Sequence, residues 1–386
     1  MQYRQLGQTG EEVSVLGFGC MRLPVIDGDE TCIDEPQATR MLDRALELGV
    51  NYVDTAWPYH GGHSEPWLGR ALAAGGRRER VLIATKLPVW DLKHPDDCER
   101  IFTEQLRRLQ TDRIDCYLLH NLNRRNWRRA REKGALDFLD RQLAQGRIRY
   151  AGFSFHDDPD LFAEIVAARE WFLCQIQLNY MDERYQAGTE GMRLAAGRGL
   201  GVIVMEPLRG GKLAALPDDI QRLFATSGIE RTPAAWALRW VWDQPEVSLA
   251  LSGMGAPAEL EENAATASAA VPGALTAAEY GVIDRVRTRL RERMPVPCTV
   301  CRYCLPCPEG VNIPKIFNLY NNAALYQDVK EPAGYYTMIM LSSERADRCV
   351  ECGTCVELCP QQIDIPAELA RAHELFTKAS QPAEGD

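Results

Sequence analysis

Asp54, Tyr59, Lys86 and His120 are the side chains whose types and spacing could run a proton-coupled reaction. Asp54 closes one apolar run and Tyr59 follows five residues later. Lys86 closes the next run and His120 the one after it. A free phenol has a pKa of about 10 and is a poor acid at neutral pH. A neighbouring ammonium favours the phenolate and brings that proton within reach. The ammonium needs an anion to stay charged in an enclosed site, which Asp54 can supply. A neutral imidazole at His120 could orient a carbonyl oxygen beside the phenol. Together they suit hydride addition to a carbonyl with proton donation, or the reverse. Taken singly, each has a structural reading: a strand-end aspartate caps the next helix, and a lone histidine is a satisfied polar residue. Their recurrence at one end of three consecutive strands favours the chemistry.

A second set is made of thiols. Of 13 cysteines, eight fall in two tight groups, Cys298, Cys301, Cys304 and Cys307, then Cys349, Cys352, Cys355 and Cys359. Such grouping in a chain of this length points to metal ligation rather than to disulfides. The spacing of Cys349 to Cys359, closed by Pro360, is that of a bacterial 4Fe–4S run, whose fourth cysteine reaches the other cluster in two-cluster proteins. The first group is one residue short before Cys307, which a cross-ligating cysteine tolerates. Cys298, Cys301, Cys304 and Cys359 are therefore expected on one cluster, and Cys349, Cys352, Cys355 and Cys307 on the second. Zinc held by four thiolates is the alternative. The remaining five, Cys20, Cys32, Cys98, Cys116 and Cys174, read as small buried hydrophobes.

The elements that must position these groups are legible as a repeat. Eight β-rich runs, at 13–19, 51–56, 81–86, 113–120, 149–154, 172–179, 201–206 and 247–252, alternate with helix-period stretches at 35–48, 64–74, 97–109, 136–144, 159–168, 189–196 and 232–241. Runs such as Val81-Leu82-Ile83-Ala84 are continuously apolar, as for parallel strands covered on both faces. Eight such units in about 260 residues fit an α/β fold, a closed (β/α)₈ TIM barrel. Active groups then sit at the carboxyl ends of its strands. The Gly197-Arg198-Gly199-Leu200-Gly201 segment precedes a strand and reads as a turn, not a dinucleotide fingerprint. A helix at 276–293 and Pro295-Val296-Pro297 lead into the cysteine-rich part, read as a small, mainly helical iron–sulfur domain. The domain boundaries expected are 1–275, a linker at 276–297, 298–372, and a polar tail at 373–386.

The 386 residues carry 44 basic and 54 acidic side chains, a net charge of −10, which argues against a nucleic-acid binder. No apolar run approaches the roughly 18–20 residues that span a bilayer, and the start shows no secretory h-region, so a cytoplasmic protein with no membrane contact is expected.

The sequence resembles the aldo-keto reductases over about residues 1–270. The likeness rests on Leu16-Gly17-Phe18-Gly19, Asp54-Thr55-Ala56 with Tyr59, Ser64-Glu65 with Leu68-Gly69, Ala84-Thr85-Lys86, Asp115 to His120, Gly152-Phe153-Ser154, Gln175, Pro207-Leu208 and Glu262-Asn263. The resemblance implies a catalytic tetrad of Asp54, Tyr59, Lys86 and His120, and NAD(H) or NADP(H) bound without a Rossmann fold. Ser154 and Gln175 would hold the carboxamide, the loop from Glu206 through Pro207, Leu208 and Gly210 would lie near the pyrophosphate, and Asn263 belongs to the cofactor site. The substrate implied is a small carbonyl or alcohol. With its cysteines, the chain is similar to the subset carrying a C-terminal two-cluster ferredoxin-type domain.

Three departures bear on the cofactor. Met205 stands where many members stack an aromatic on the nicotinamide, and Phe155 stands where an amide side chain is usual. Gly253 and Glu259 occupy positions that are basic in NADP-specific members. A carboxylate repels a 2′-phosphate but accepts from a ribose hydroxyl, which tilts the expectation toward NADH. Nicotinamide moves two electrons and each cluster one. Either an electron-transfer protein partner or a flavin or other converter joins them, or the clusters are structural. A redox-relay protein whose barrel only docks a partner is the rival reading. The basic run from Arg124 to Lys133 reads as a solvated helix face or as an attractor for anions, and His60 and His63 as shapers of the substrate loop.

Overall fold

The computed structural model describes residues 1–298, 304–359 and 361–380. Two compact units emerge: one of Met1–Ala215 with Arg231–Thr276, the other of Leu216–Glu230 with Ala277–Asp386.

The first unit is a closed barrel of eight parallel strands, β3 (Leu16–Gly19), β4 (Tyr52–Asp54), β5 (Leu82–Leu87), β6 (Ile114–Leu122), β7 (Ile148–Phe155), β8 (Leu173–Gln177), β9 (Gly201–Met205) and β10 (Val247–Ser252). The strands pair in chain order and β10 closes on β3. Every residue of β5 and of β10 is buried, because parallel strands here face packed side chains within and helices without. Three of the barrel helices start where the sequence supplies a cap and a proline together. Asp34, Asp158 and Thr232 each accept a hydrogen bond from the backbone N–H three residues on, and proline follows in the first turn of helices Glu35–Glu47, Pro159–Ala168 and Pro233–Trp242.

A short antiparallel hairpin, β1 (Tyr3–Gln5) and β2 (Glu12–Ser14), precedes the barrel. The expected first strand, 13–19, is thus divided between β2 and β3. Leu6 and Val13 pack with Tyr52, Leu82, Leu173 and Leu249 from the amino ends of the strands, so the hairpin stoppers the barrel floor. Its approach requires glycine. A Cβ on Gly7, at φ 56°, would lie 2.3 Å from the Gly201 backbone nitrogen, and Gln8 N–H donates to the Gly199 carbonyl at 2.9 Å.

In the second unit, helices Ala277–Arg291 and Asp218–Ala225 pack together, and Arg293 donates to Asp219 at 2.7 Å. A separate apolar core gathers Val311, Ile313, Phe317 and Tyr336 with Leu369 and Phe376. The last two lie on the helix Ile365–Ala379, so ordered, packed chain runs past position 372. Residues 381–386 of the expected tail lie outside the described residues. No helix among the described residues is long and apolar enough to cross a membrane.

Candidate active site

The barrel register brings the four expected residues together. Asp54 ends β4, Lys86 lies one residue before the end of β5, and His120 lies two before the end of β6. Tyr59 opens the 3₁₀ turn Tyr59–Gly62 beyond β4. Lys86 Nζ donates to Asp54 Oδ1 at 2.6 Å, to the Thr55 carbonyl at 2.8 Å and to the Tyr59 hydroxyl at 3.3 Å. All three donor positions of the ammonium are used. The Tyr59 and His120 rings meet edge to face, with centroids 6.1 Å apart.

Burial governs the electrostatics. It pushes the Asp54 carboxyl up, against Lys86 and Gln175, which favour the carboxylate. Burial works against the Lys86 ammonium, but Asp54 and Tyr59 outweigh it and the group is raised above the ordinary lysine value. The lysine stays charged. Desolvation also raises Tyr59 more than Lys86 lowers it, so the phenol keeps its proton, where charge alone would favour phenolate. His120 is held well below 6.5, first by burial and then by the charges of Lys86 and His156, so its ring is neutral.

A buried polar network under Lys86 is absent from the expectations. The Glu65 carboxylate, wholly buried, accepts from Thr85 Oγ1 and Gln105 Nε2, both at 2.7 Å, and from Arg108 at 3.3 Å. Gln105 Nε2 also donates to the Lys86 carbonyl at 3.1 Å, and its Oε1 accepts from Tyr117 at 2.6 Å. Glu65 was visible as a motif residue, and the other partners lie 20 to 52 positions away. His60 proves to be a tie: Nε2 accepts from Leu23 N–H at 3.2 Å while Nδ1 faces the Glu30 carbonyl at 2.6 Å, fixing the loop after β3.

The expected cofactor residues line neighbouring strand ends. Ser154 on β7 is in register with Gln175 on β8, both buried, and Ser154 Oγ accepts from Asn121 N–H at 2.7 Å. Met205 ends β9, and the chain then turns through positive φ at Glu206, Arg209, Gly210 and Gly211. Pro207 and Leu208 lie within that turn, which Asn179 steadies by donating to the Glu206 carbonyl at 3.3 Å. Gly253 follows β10, and Asn263 donates to Ser252 Oγ at 3.1 Å. Glu259 Oε2 accepts from the Gly255 and Ala256 N–H groups, so this carboxylate caps the helix Pro257–Ser268. Gln175 Oε1, Asp54 Oδ2 and His120 Nδ1 are buried polar atoms without a partner. Native interiors rarely leave such atoms unpaired. Their presence here fits a polar ligand such as a nicotinamide carboxamide.

Cys298, Cys304, Cys307, Cys349, Cys355 and Cys359 are partly buried against the apolar core of the second unit, while Cys352 is exposed. The Cys355 thiol feels Cys349, Cys352 and Cys307 electrostatically, which brings together four of the expected ligands. Cys301 and Pro360 lie outside the described residues. Among the described residues no three His, Cys, Asp or Glu side chains converge as a single-ion site. An iron–sulfur cube holds each thiolate on a separate iron, so its ligands stand farther apart than those of one ion. None of the described cysteines is in a disulfide. Cys20, Cys98, Cys116 and Cys174 are buried as expected, but Cys32 is exposed, since it sits at the surface of the loop after β3.

The basic run forms the helix Arg124–Glu132. Arg124 pairs with Asp158 at 3.1 Å and Arg131 with Glu164 at 3.4 Å. Much of its charge is therefore neutralised in place.

The family model "Aldo/keto reductase family" matches residues 15–287, and that of a 4Fe-4S dicluster domain matches 297–363. An uncharacterized oxidoreductase, YrpG, of Bacillus subtilis (strain 168) is 34% identical over 233 residues, 55% of this chain and 68% of that protein. The 6-dehydroglucose reductase of Novosphingobium aromaticivorans is 28% identical over 286 residues, 68% of this chain and 89% of its own. Among solved structures, the holo form of an aldo-keto reductase from Bacillus halodurans superposes with a TM-score of 0.61 at 30% identity, covering 74% of this chain and 96% of that one.

Proposed function

The chain belongs to the aldo/keto reductase family and is an oxidoreductase with a C-terminal 4Fe-4S domain, and from that premise we propose that it transfers a hydride between a nicotinamide cofactor and a small carbonyl or alcohol, with Tyr59 as general acid. The observation that carries this reading is the single ammonium of Lys86, bound at once to Asp54 and to the Tyr59 hydroxyl. When bound, the nicotinamide supplies or accepts the hydride. The residues of the chain do the rest. Tyr59 gives its proton to the substrate oxygen as negative charge develops there, and Lys86 stabilises the phenolate left behind. Asp54 keeps Lys86 charged. The neutral imidazole of His120 orients the carbonyl beside the phenol. In the oxidative direction the same groups run in reverse.

Ser154 and Gln175 hold the carboxamide in this reading, the Glu206–Gly210 turn faces the pyrophosphate, and Gly253, Glu259 and Asn263 lie at the adenosine end. The carboxylate of Glu259 and the absence of a side chain at Gly253 favour NADH over NADPH. Two clusters are proposed, one on Cys298, Cys301, Cys304 and Cys359, the other on Cys349, Cys352, Cys355 and Cys307. They carry single electrons, so coupling to hydride chemistry calls for an electron-transfer protein or a flavin-type converter. Thiolate ligands kept reduced are compatible with the cytoplasmic location expected from the sequence. The relay reading, with a barrel that turns nothing over, is not favoured by relatives that are oxidoreductases.

The test is Tyr59→Phe in the full chain. Carbonyl turnover should vanish while the visible absorbance of the clusters is kept; undiminished turnover refutes the role of Tyr59. Anaerobic titration with NADH and NADPH, followed by electron paramagnetic resonance, reads the cofactor preference and whether electrons reach iron.

A further inference from the structure

One arginine of the basic helix Arg124–Glu132 reaches back to the chain beside the active site. Arg129 Nη1 donates to the carbonyl of Trp90, in the 3₁₀ turn Val89–Asp91 that follows β5. The Trp90 ring in turn packs on His120, with centroids 4.9 Å apart and planes inclined at 54°. The same helix is tied to the end of the strand that carries His120. Asn126 Nδ2 donates to the Asn121 carbonyl at 2.8 Å, and Asn123 accepts from Asn126 N–H at 2.8 Å. One helix therefore ties both the backbone next to His120 and the backbone of Trp90, whose ring packs on the imidazole.

We propose that Arg129 is a positioning residue for His120: by holding the Trp90 carbonyl it keeps the indole seated on the imidazole and shields that ring from water. This rests on the reading of His120 as the neutral group that orients the carbonyl. The titratable groups facing His120 are Tyr59 from the turn after β4, Lys86 on β5 and His156 after β7. Tyr59 is uncharged and carries no penalty. Lys86 is cationic and partly offset by Asp54 at 2.6 Å, so an imidazolium at the half-buried position 120 would face a like charge that water screens only in part. Lifting the indole would let water solvate the imidazolium and raise the titration of His120 toward its ordinary value. The other arginines of the run make ion pairs with acidic neighbours or face solvent; Arg129 spends its donor on a backbone oxygen beside the site.

The experiment uses the full chain with its clusters and the variants Arg129→Ala, Arg129→Lys, Trp90→Ala and Trp90→Phe. The titration of His120 is followed by NMR of isotope-labelled histidine, its signal identified among the six histidines by His120→Gln. Arg129→Ala and Trp90→Ala should each raise that titration by about one pH unit or more. The acid limb of carbonyl reduction should move up equally. Arg129→Lys, which keeps a donor, and Trp90→Phe, which keeps a ring, should stay near the parent. A folded Arg129→Ala protein whose His120 titrates as in the parent overturns the proposal. If Arg129→Ala does not fold, an unchanged titration in Trp90→Ala overturns it instead. A parent that reduces no carbonyl would sink the assignment of Tyr59 and His120 to catalysis, while the NMR arm would still decide the role of Arg129.

Discussion

Lys86 and Asp54 form a salt bridge of 2.6 Å whose side chains are only 1% and 5% exposed, so the pair lies out of reach of bulk water. Each charge is tolerable there only because of the other. Asp54→Asn should therefore strand the ammonium, lower the Lys86 pKa and destabilise the first unit by about 3–5 kcal/mol. Denaturant unfolding followed by circular dichroism measures the loss. Turnover should fall with it, because an uncharged amine cannot stabilise the phenolate of Tyr59.

The raised pKa of Tyr59 fixes a pH dependence. Reduction consumes the phenolic proton, so it is fully supported below that pKa and is lost as pH rises through it, above the ordinary value of about 10. Oxidation needs the phenolate and should climb with pH over the same range. Rates measured in both directions from neutrality to strong alkali check this. A reduction limb that collapses near neutrality would argue for another acid.

Gln105 joins Glu65, Thr85, Tyr117 and the Lys86 carbonyl in one buried network. Gln105→Leu keeps the volume but leaves the Glu65 carboxylate, the Tyr117 hydroxyl and the Lys86 carbonyl each short of a partner. A cost of about 3 kcal/mol or more is expected, each of the three groups contributing roughly 1–3. Unfolding midpoints of the two proteins at equal pH provide the measurement, and a shift near zero would mean water replaces the amide.

Cys307 is expected to cross over to the cluster of Cys349, Cys352 and Cys355. Cys307→Ser should therefore remove that cluster and about half of the iron, leaving the paramagnetic signal of the other. Loss of the cluster held by Cys298 and Cys304 instead would reverse the ligand sets. Chelating all the iron should loosen the second unit, since six of the described cysteines pack on its apolar core.

Glu259 has two jobs in this reading, capping the helix Pro257–Ser268 and facing the adenosine end. Glu259→Arg should shift preference toward NADPH by removing a repulsive charge, and cost about 1 kcal/mol through loss of the cap. Dissociation constants for both nucleotides, read by fluorescence quenching, separate the two effects from stability. Unchanged relative affinity would place Glu259 away from the cofactor.

The barrel was legible because parallel strands such as Leu82–Leu87 must be apolar on both faces, which writes each as an unbroken run in the sequence. The tetrad was legible for a related reason: each strand end is marked by the abrupt appearance of an ionisable side chain. The hairpin was not, since three-residue strands are too short to display a period and Val13 merged with the apolar residues that follow. Nor was the Glu65–Gln105 network, whose members are set side by side only by the packing of helices Ser64–Ala73 and Asp97–Leu109. Gln105 reads locally as one more polar position. Arg129 was indistinguishable from its neighbours because nothing in a run of arginines tells which one meets a carbonyl 39 positions earlier.

The stoppered floor has a consequence for where damage would be felt. Leu6 and Val13 share one apolar core with Leu118 and Ile203 inside the barrel, so the amino end is a foundation and not an entrance. Enlarging or charging a side chain there would weaken the whole closed sheet while leaving the ionisable groups at the opposite rim chemically intact.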